Sequence, residues 1–186
     1  MLIRTAPEGL LPAGGLATTI TVGARGFVAF DVLGPYGAVF SVWLSDNGEI
    51  DLEAEILKKE SEGRWAQMGS GGNTRAGWDV PFPPASGWPF EGLAIFGTSG
   101  LDIEDDDGSD AAIDAVFGFL APPAVTLRID RDGVTRELSP FPGTHAFVAL
   151  TIGVDLASIA AHDANGVRIG APEHVGHQPY NLPSSQ

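Results

Sequence analysis

The chain has 186 residues, no cysteine and a formal net charge of −14, from 24 acidic and 10 basic residues. The absence of cysteine excludes disulfide bonds, thiolate metal ligands and a cysteine nucleophile. The few, scattered Lys and Arg residues argue against nucleic acid and anionic membranes as partners, and no apolar run is long enough for a membrane-spanning helix.

Residues 1–15 are expected to form an N-terminal arm. Their sequence, MLIRTAPEGLLPAGG, lacks the uninterrupted apolar core of a secretory signal peptide. We therefore expect a cytoplasmic protein.

The segments that follow show the period of two that is typical of half-buried strands. Turn-forming Gly and Pro, 25 and 14 residues in all, separate the apolar runs. We expect strands in TTITV, FVAFDV and AVFSVWL. The side chains predicted to share a face are Ile20 with Val22, Val28 with Phe30 and Val32, and Phe40 with Val42 and Leu44, opposite Val39 and Trp43.

The segment EIDLEAEI is compatible with a strand or a helix. Its Leu, Glu and Ala residues are strong helix formers, but Ile50, Leu52, Ala54 and Ile56 alternate strictly with acidic residues. The alternation favours a strand, which we expect to form a hairpin with RWAQM across residues 61–63.

Residues 77–90, GWDVPFPPASGWPF, combine four prolines with four aromatic rings. Proline restricts the loop to few conformations, and rigid aromatic side chains are frequent anchors in protein interfaces. One interpretation is therefore a partner-binding surface. The other is a lid that buries its rings across the open end of the fold, because exposed aromatic patches are uncommon. The rings are Trp78, Phe82, Trp88 and Phe90.

The most acidic stretch of the chain, GLDIEDDDGSD, spans residues 100–110. Placing Gly108 at the sixth position of an EF-type calcium loop aligns Asp105, Asp107 and Asp114 with ligand positions, but puts Ile103 at the first. We interpret the stretch first as a solvated loop, with a docking surface for a basic partner and a weak calcium site as alternatives. The acidic side chains concerned are Asp102, Glu104, Asp105, Asp106, Asp107 and Asp110.

The rest of the chain also contains strand and turn patterns. AAIDAVFGFLAP fits a short helix or a strand, whereas VTLRID and AFVALTI alternate as strands, with Val125, Leu127 and Ile129 on one inward face. Asp132-Gly133 and Asn165-Gly166 are typical of type I′ hairpin turns.

VTLRIDRDGVTREL, HAFVALTI and ASIAAHDANGVRIG, within residues 124–170, resemble the closing strands of bacterial immunoglobulin-like sandwich modules. The resemblance covers about a quarter of the chain. It implies an immunoglobulin-like C-terminal half and a role in adhesion, spacing or binding.

Together these patterns predict an all-β protein, an antiparallel β-sandwich of about ten strands. The sandwich is expected over residues 16–172, with a division near residue 85 left open and a C-terminal tail over residues 173–186.

No catalytic motif emerges from the sequence. MGSGGNT lacks the lysine of a P-loop, no serine lies in a G-x-S-x-G elbow, and the four histidines do not form a ligand set. We therefore expect a non-catalytic acidic protein without a cofactor that binds another macromolecule, most simply a protein, as an immunity-like, inhibitor or accessory module. The alternatives are a carbohydrate-active hydrolase with paired carboxylates near Trp78 or Trp88, and a calcium-stabilised structural module. The oligomeric state is left open.

Overall fold

The computed structural model describes residues 5–11, 14–61, 63–76, 82–84, 87–104 and 110–177. These residues form eleven β-strands: β1 (Arg25–Leu33), β2 (Tyr36–Leu44), β3 (Ile50–Lys59), β4 (Trp65–Arg75), β5 (Gly92–Glu104), β6 (Asp110–Ala121), β7 (Thr126–Arg131), β8 (Val134–Leu138), β9 (Ala146–Gly153), β10 (Ala157–His162) and β11 (Arg168–Val175).

The strands pair antiparallel in three sheets. Sheet I has the order β1-β2-β3-β4, sheet II the order β5-β6-β9, and sheet III the order β11-β10-β7-β8. The prediction of an all-β antiparallel protein is confirmed, while an immunoglobulin-like topology stays a prediction. Within the described part of the chain there is no helix long and apolar enough to cross a bilayer.

Sheet II lies between the other two sheets. Alternate residues of β6, such as Phe117 and Phe119, join a core with the inner face of sheet I. Val116 and Leu120 of the same strand join a second core with sheet III. A strand buried on both faces needs a nearly continuous apolar sequence, which explains why AAIDAVFGFLAP lacked a clear period and forms a strand.

Strand β3 of sheet I shows the simple alternation instead. In β3, Ile50, Leu52, Ala54 and Ile56 are fully buried, whereas the acidic residues between them point away from the core. The predicted strand and its hairpin with RWAQM are therefore confirmed, since β3 pairs with β4.

Three strand predictions need correction. TTITV is not a strand: Ile20 forms an isolated bridge with Phe82, and Val22 is exposed. In β1, the register shifts between Phe27 and Ala29. This bulge turns Val28 towards the core with sheet II, while Phe30 joins a cluster on the outer face. Val125 precedes β7 and is exposed, because it lies beyond the last register pair of the β7–β10 ladder, Thr126 with His162.

The two predicted type I′ turns differ. Asp132 and Gly133 both have positive φ, at 48° and 77°, as type I′ requires. In the β10–β11 connection Gly166 has positive φ and Asn165 does not. The Asp163 N–H donates to the Val167 carbonyl, so the loop between them has three residues, one more than a type I′ hairpin loop. The N–H groups of Val167 and Asn165 donate to the Asp163 carboxylate and hold the pKa of Asp163 below its usual range. The type I′ prediction for Asn165 is wrong, since a three-residue loop requires positive φ only at its glycine.

The N-terminal arm covers part of the outer face of sheet I. Leu10 is buried against Phe30 and Val39, and the Trp65 indole donates to the Glu8 carbonyl at 3.1 Å. Gly37 leaves room for this contact, because a Cβ there would lie 2.6 Å from Leu10 and 2.9 Å from Trp65. The arm thus covers the apolar half of this face.

Candidate functional site

The aromatic and proline-rich segment contributes mainly to the core. Trp78 lies outside the described residues. Phe82 is fully buried, 5.2 Å from the Phe119 ring, and Trp88 stacks on Phe119 at 5.0 Å. Phe90 lies 5.5 Å from Trp88, and both are half-buried. This packing matches the lid interpretation, and Phe82 presents no surface to a partner.

The acidic stretch connects β5 to β6. Asp102 and Glu104 are exposed at the end of β5, and Asp110 is exposed at the start of β6. Asp105, Asp106 and Asp107 lie outside the described residues. Among the residues that are described, no group of three or more His, Asp or Glu side chains is arranged to hold a metal ion.

The alignment of this stretch with an EF-type loop is wrong. Ile103 and Ala111 are register partners in the β5–β6 ladder, so the proposed loop begins and ends inside paired strands. Asp114, aligned with the last ligand position, is 1% exposed and forms an ion pair with Arg131, with 2.7 Å between Oδ2 and Nη1.

Asp114 belongs instead to a buried network that joins sheets II and III. The guanidinium of Arg131 also donates to the Thr151 hydroxyl and to the carbonyl oxygens of Gly153 and His177. The His177 ring lies between two carboxylates, with Nδ1 2.7 Å from Asp114 and Nε2 3.1 Å from Asp102. The network fixes the end of the described C-terminal segment against β5 and β6, which indicates a structural role.

A second set of polar side chains lies on the outer face of sheet I, beside the half that the arm covers. The register places Arg25, Trp43, Asp51 and Thr74 in one row across β1 to β4. We call this surface the polar face. Its members are Arg25, Ser41, Trp43, Asp51, Glu53, Glu55 and Thr74.

The polar face forms an open cleft of about 500 Å³. Gly72, opposite Glu53, forms part of its floor and brings no side chain into the cleft. Trp43 is 40% exposed at the rim, whereas its neighbours in sequence, Val42 and Leu44, are fully buried on the other side of β2.

Hydrogen bonds orient the charged groups of the polar face. Arg25 donates from Nε and Nη2 to the Ser41 hydroxyl, at 3.1 and 2.8 Å. Its Nη2 also lies 2.5 Å from Glu53 and 3.4 Å from Glu55. The Thr74 hydroxyl donates to Asp51 at 2.5 Å. The carboxylates are therefore held as acceptors on one open surface.

Sequence reasoning placed Trp43 on the opposite face of its strand from Phe40, Val42 and Leu44 but did not identify this site. The available pattern was a tryptophan on the face of one strand opposite Val42 and Leu44, followed by a strand with acidic residues at three successive alternate positions. Arg25 gave no such indication, because its contacts depend on the register of three strands.

Comparison with known proteins gives no match to a family model, a curated protein or a solved structure.

Proposed function

We propose that the protein is a non-catalytic binding protein that docks a basic segment of a protein partner on the polar face. The observation that supports this best is the row of outward carboxylates on β3, Asp51, Glu53 and Glu55, beside the exposed ring of Trp43.

The spacing of these carboxylates suits an extended peptide. Alternate side chains on one face of a strand are about 7 Å apart, so a partner segment in extended conformation would present its own alternate side chains at the same interval. Basic residues at those positions would each meet a carboxylate. The net charge of −14 would attract such a segment from a distance and increase its association rate.

Trp43 supplies the apolar part of the proposed site. A tryptophan ring attracts Arg and Lys cations at its face, and the attraction grows when the pair is shielded from water. Trp43 lies directly opposite Asp51 in the β2–β3 ladder. A cation bound over the ring would therefore have a carboxylate beside it, the arrangement expected of an interface hot spot.

The two alternative functions have less support. The Trp88 ring packs against Phe82, Phe90, Phe119 and His145, as a core side chain would. The calcium-stabilised module loses Asp114 as a ligand, since that carboxylate is paired with Arg131.

The test is a titration of the protein with a peptide of alternating serine and arginine, at low and at high salt. Trp43→Ala should weaken binding about tenfold or more, as loss of a hot-spot side chain does. Asp51→Asn should weaken it less and reduce its salt dependence. Glu137→Gln, an equal charge change at an exposed residue of sheet III, is the matched control and should leave affinity nearly unchanged.

Equal losses in Asp51→Asn and Glu137→Gln would mean that only the overall charge attracts the peptide, and would overturn the proposal. The proposal would also be overturned if the protein did not bind basic peptides but bound saccharides on an array. Partners captured from a lysate count as support only if Trp43→Ala releases them.

A further inference from the structure

We infer that Arg25 is an internal placeholder: in the free protein its guanidinium occupies the position that an arginine of the partner takes in the complex. This inference rests on the proposed function and names the side chain that the polar face recognises.

The geometry of Arg25 resembles the binding of a ligand group. Arg25 is the first residue of β1, yet its side chain reaches across β2 to carboxylates on β3. Ser41 and Glu53, which are register partners, receive hydrogen bonds from one edge of the guanidinium. The polar face therefore already contains a set of acceptors that fits a guanidinium fork.

An arginine of the partner can displace Arg25 from Glu53 because this ion pair is exposed. The side chains of Arg25 and Glu53 are 45% and 38% exposed. Exposed ion pairs contribute little to stability, since water and salt screen the charges and long side chains lose entropy when they are fixed. An incoming arginine would replace one such pair by another, and Arg25 would return to solvent.

Sheet I can form without the ion pair between Arg25 and Glu53. Backbone hydrogen bonds already join β1, β2 and β3 over most of their lengths, and the inner face of the sheet is buried in a core. What Arg25 does supply in the free protein is one positive charge that offsets part of the negative charge of Glu53 and Glu55. Arg25 would thus weaken the non-specific attraction of the polar face for cations. It would favour ligands that contain a guanidinium and also contact Trp43.

The experiment compares three variants in the titration with the serine–arginine peptide. Arg25→Gln should bind the peptide up to about fivefold more tightly than the wild type, the value of one exposed ion pair. Arg25→Lys should bind with intermediate affinity, because an ammonium keeps the charge but lacks the fork. Arg128→Gln removes the same charge from an exposed pair with Asp130 on sheet III and is the matched control, expected to change affinity less than Arg25→Gln.

A second measurement follows Arg25 directly. In the wild type, the Nε–H proton of Arg25 should give an NMR signal protected from water exchange, since it is bonded to Ser41. Saturation with the peptide should remove that protection as the side chain is displaced.

The outcomes separate the two proposals. Weaker binding by Arg25→Gln, or a gain equal to that of Arg128→Gln, would overturn the placeholder role alone, provided that Trp43→Ala still weakens binding. A persistent Nε–H signal in the complex would also overturn it. Absence of binding by both the wild type and Arg25→Gln would instead overturn the proposed function.

Discussion

Asp114 is the residue whose environment departs most from what the sequence indicates. It lies in a run of acidic residues, yet it is buried and paired with a buried arginine, Arg131. Two charges inside a protein cost much desolvation energy, and each is tolerated because the other is present. Removal of one partner should therefore be far more harmful than loss of a surface ion pair.

We predict that Asp114→Ala lowers the free energy of unfolding by about 3–5 kcal/mol, because Arg131 is left buried without a counter-charge. Urea unfolding at neutral pH measures the loss. Glu60→Ala, which breaks the exposed pair with Arg64, is the control and should cost no more than about 1 kcal/mol. The double variant Asp114→Leu with Arg131→Met should lose less than Asp114→Ala, since no charge is left unpaired. A loss for Asp114→Ala as small as that of Glu60→Ala would contradict this view of the pair.

The polar face and the buried network around Asp114 show which contacts could be predicted from the sequence and which could not. The outward acids of β3 follow from its period of two, so the acidic row of the polar face was predictable as exposed. Asp114 meets Arg131 and His177, which are 17 and 63 positions away, and Arg25 meets Glu53 at a separation of 28. Such contacts depend on sheet register and layer packing, which a single sequence does not specify.

Among the elements, β3 was the clearest strand prediction and β6 stayed ambiguous, although β9, which is also buried on both faces, was predicted. β3 alternates clearly because its acidic residues point outward while its apolar residues join the core with sheet II. β6 is buried on both sides, so its sequence lacks the period that distinguishes a strand from a short helix. The bulge in β1 was also missed, since its extra residue is apolar like its neighbours and leaves no mark on the pattern.

Gly118 provides a test of how tightly β6 is packed. A Cβ at this position would overlap the carbonyl oxygen of Ala94 in the neighbouring strand, and a backbone atom cannot move aside without shifting β5. We predict that Gly118→Ala lowers the free energy of unfolding by about 3 kcal/mol, at the upper end of the usual range for overpacking.

Gly69→Ala is the control for this substitution. Its Cβ would meet only the tip of the Leu101 side chain, at 3.0 Å, which can change rotamer at small cost. Urea unfolding of both variants gives the comparison. Equal stabilities would mean that the β5–β6 ladder is looser than the structure describes.

At the scale of the whole molecule, the sequence indicates two layers and the structure has three. The third layer, sheet III, is joined to the others by an apolar core and by two arginines, of which Arg131 is buried and Arg136 is partly buried. Arg131 reaches Asp114 in sheet II, and Arg136 reaches Asp31 in sheet I, whose carboxylate also accepts from the Leu150 N–H in β9. Asp31 thus receives hydrogen bonds from both of the other sheets, a connection that no local pattern reveals.

The core between sheets I and II is drawn from both halves of the chain, from Ile20 to Ile56 and from Ile113 to Leu150. Neither half contains the partner of the face that it contributes to this core, so burial of this core requires both halves, whereas the core between sheets II and III lies within the C-terminal half. We therefore predict that the full chain unfolds in urea in a single transition, at the same midpoint by tryptophan fluorescence and by far-ultraviolet circular dichroism. Fragment 1–85, expressed separately, should show no cooperative unfolding, and mixing it with fragment 86–186 should restore some β-sheet signal. Cooperative unfolding of fragment 1–85 on its own would establish the division near residue 85 as a domain boundary and contradict a shared core.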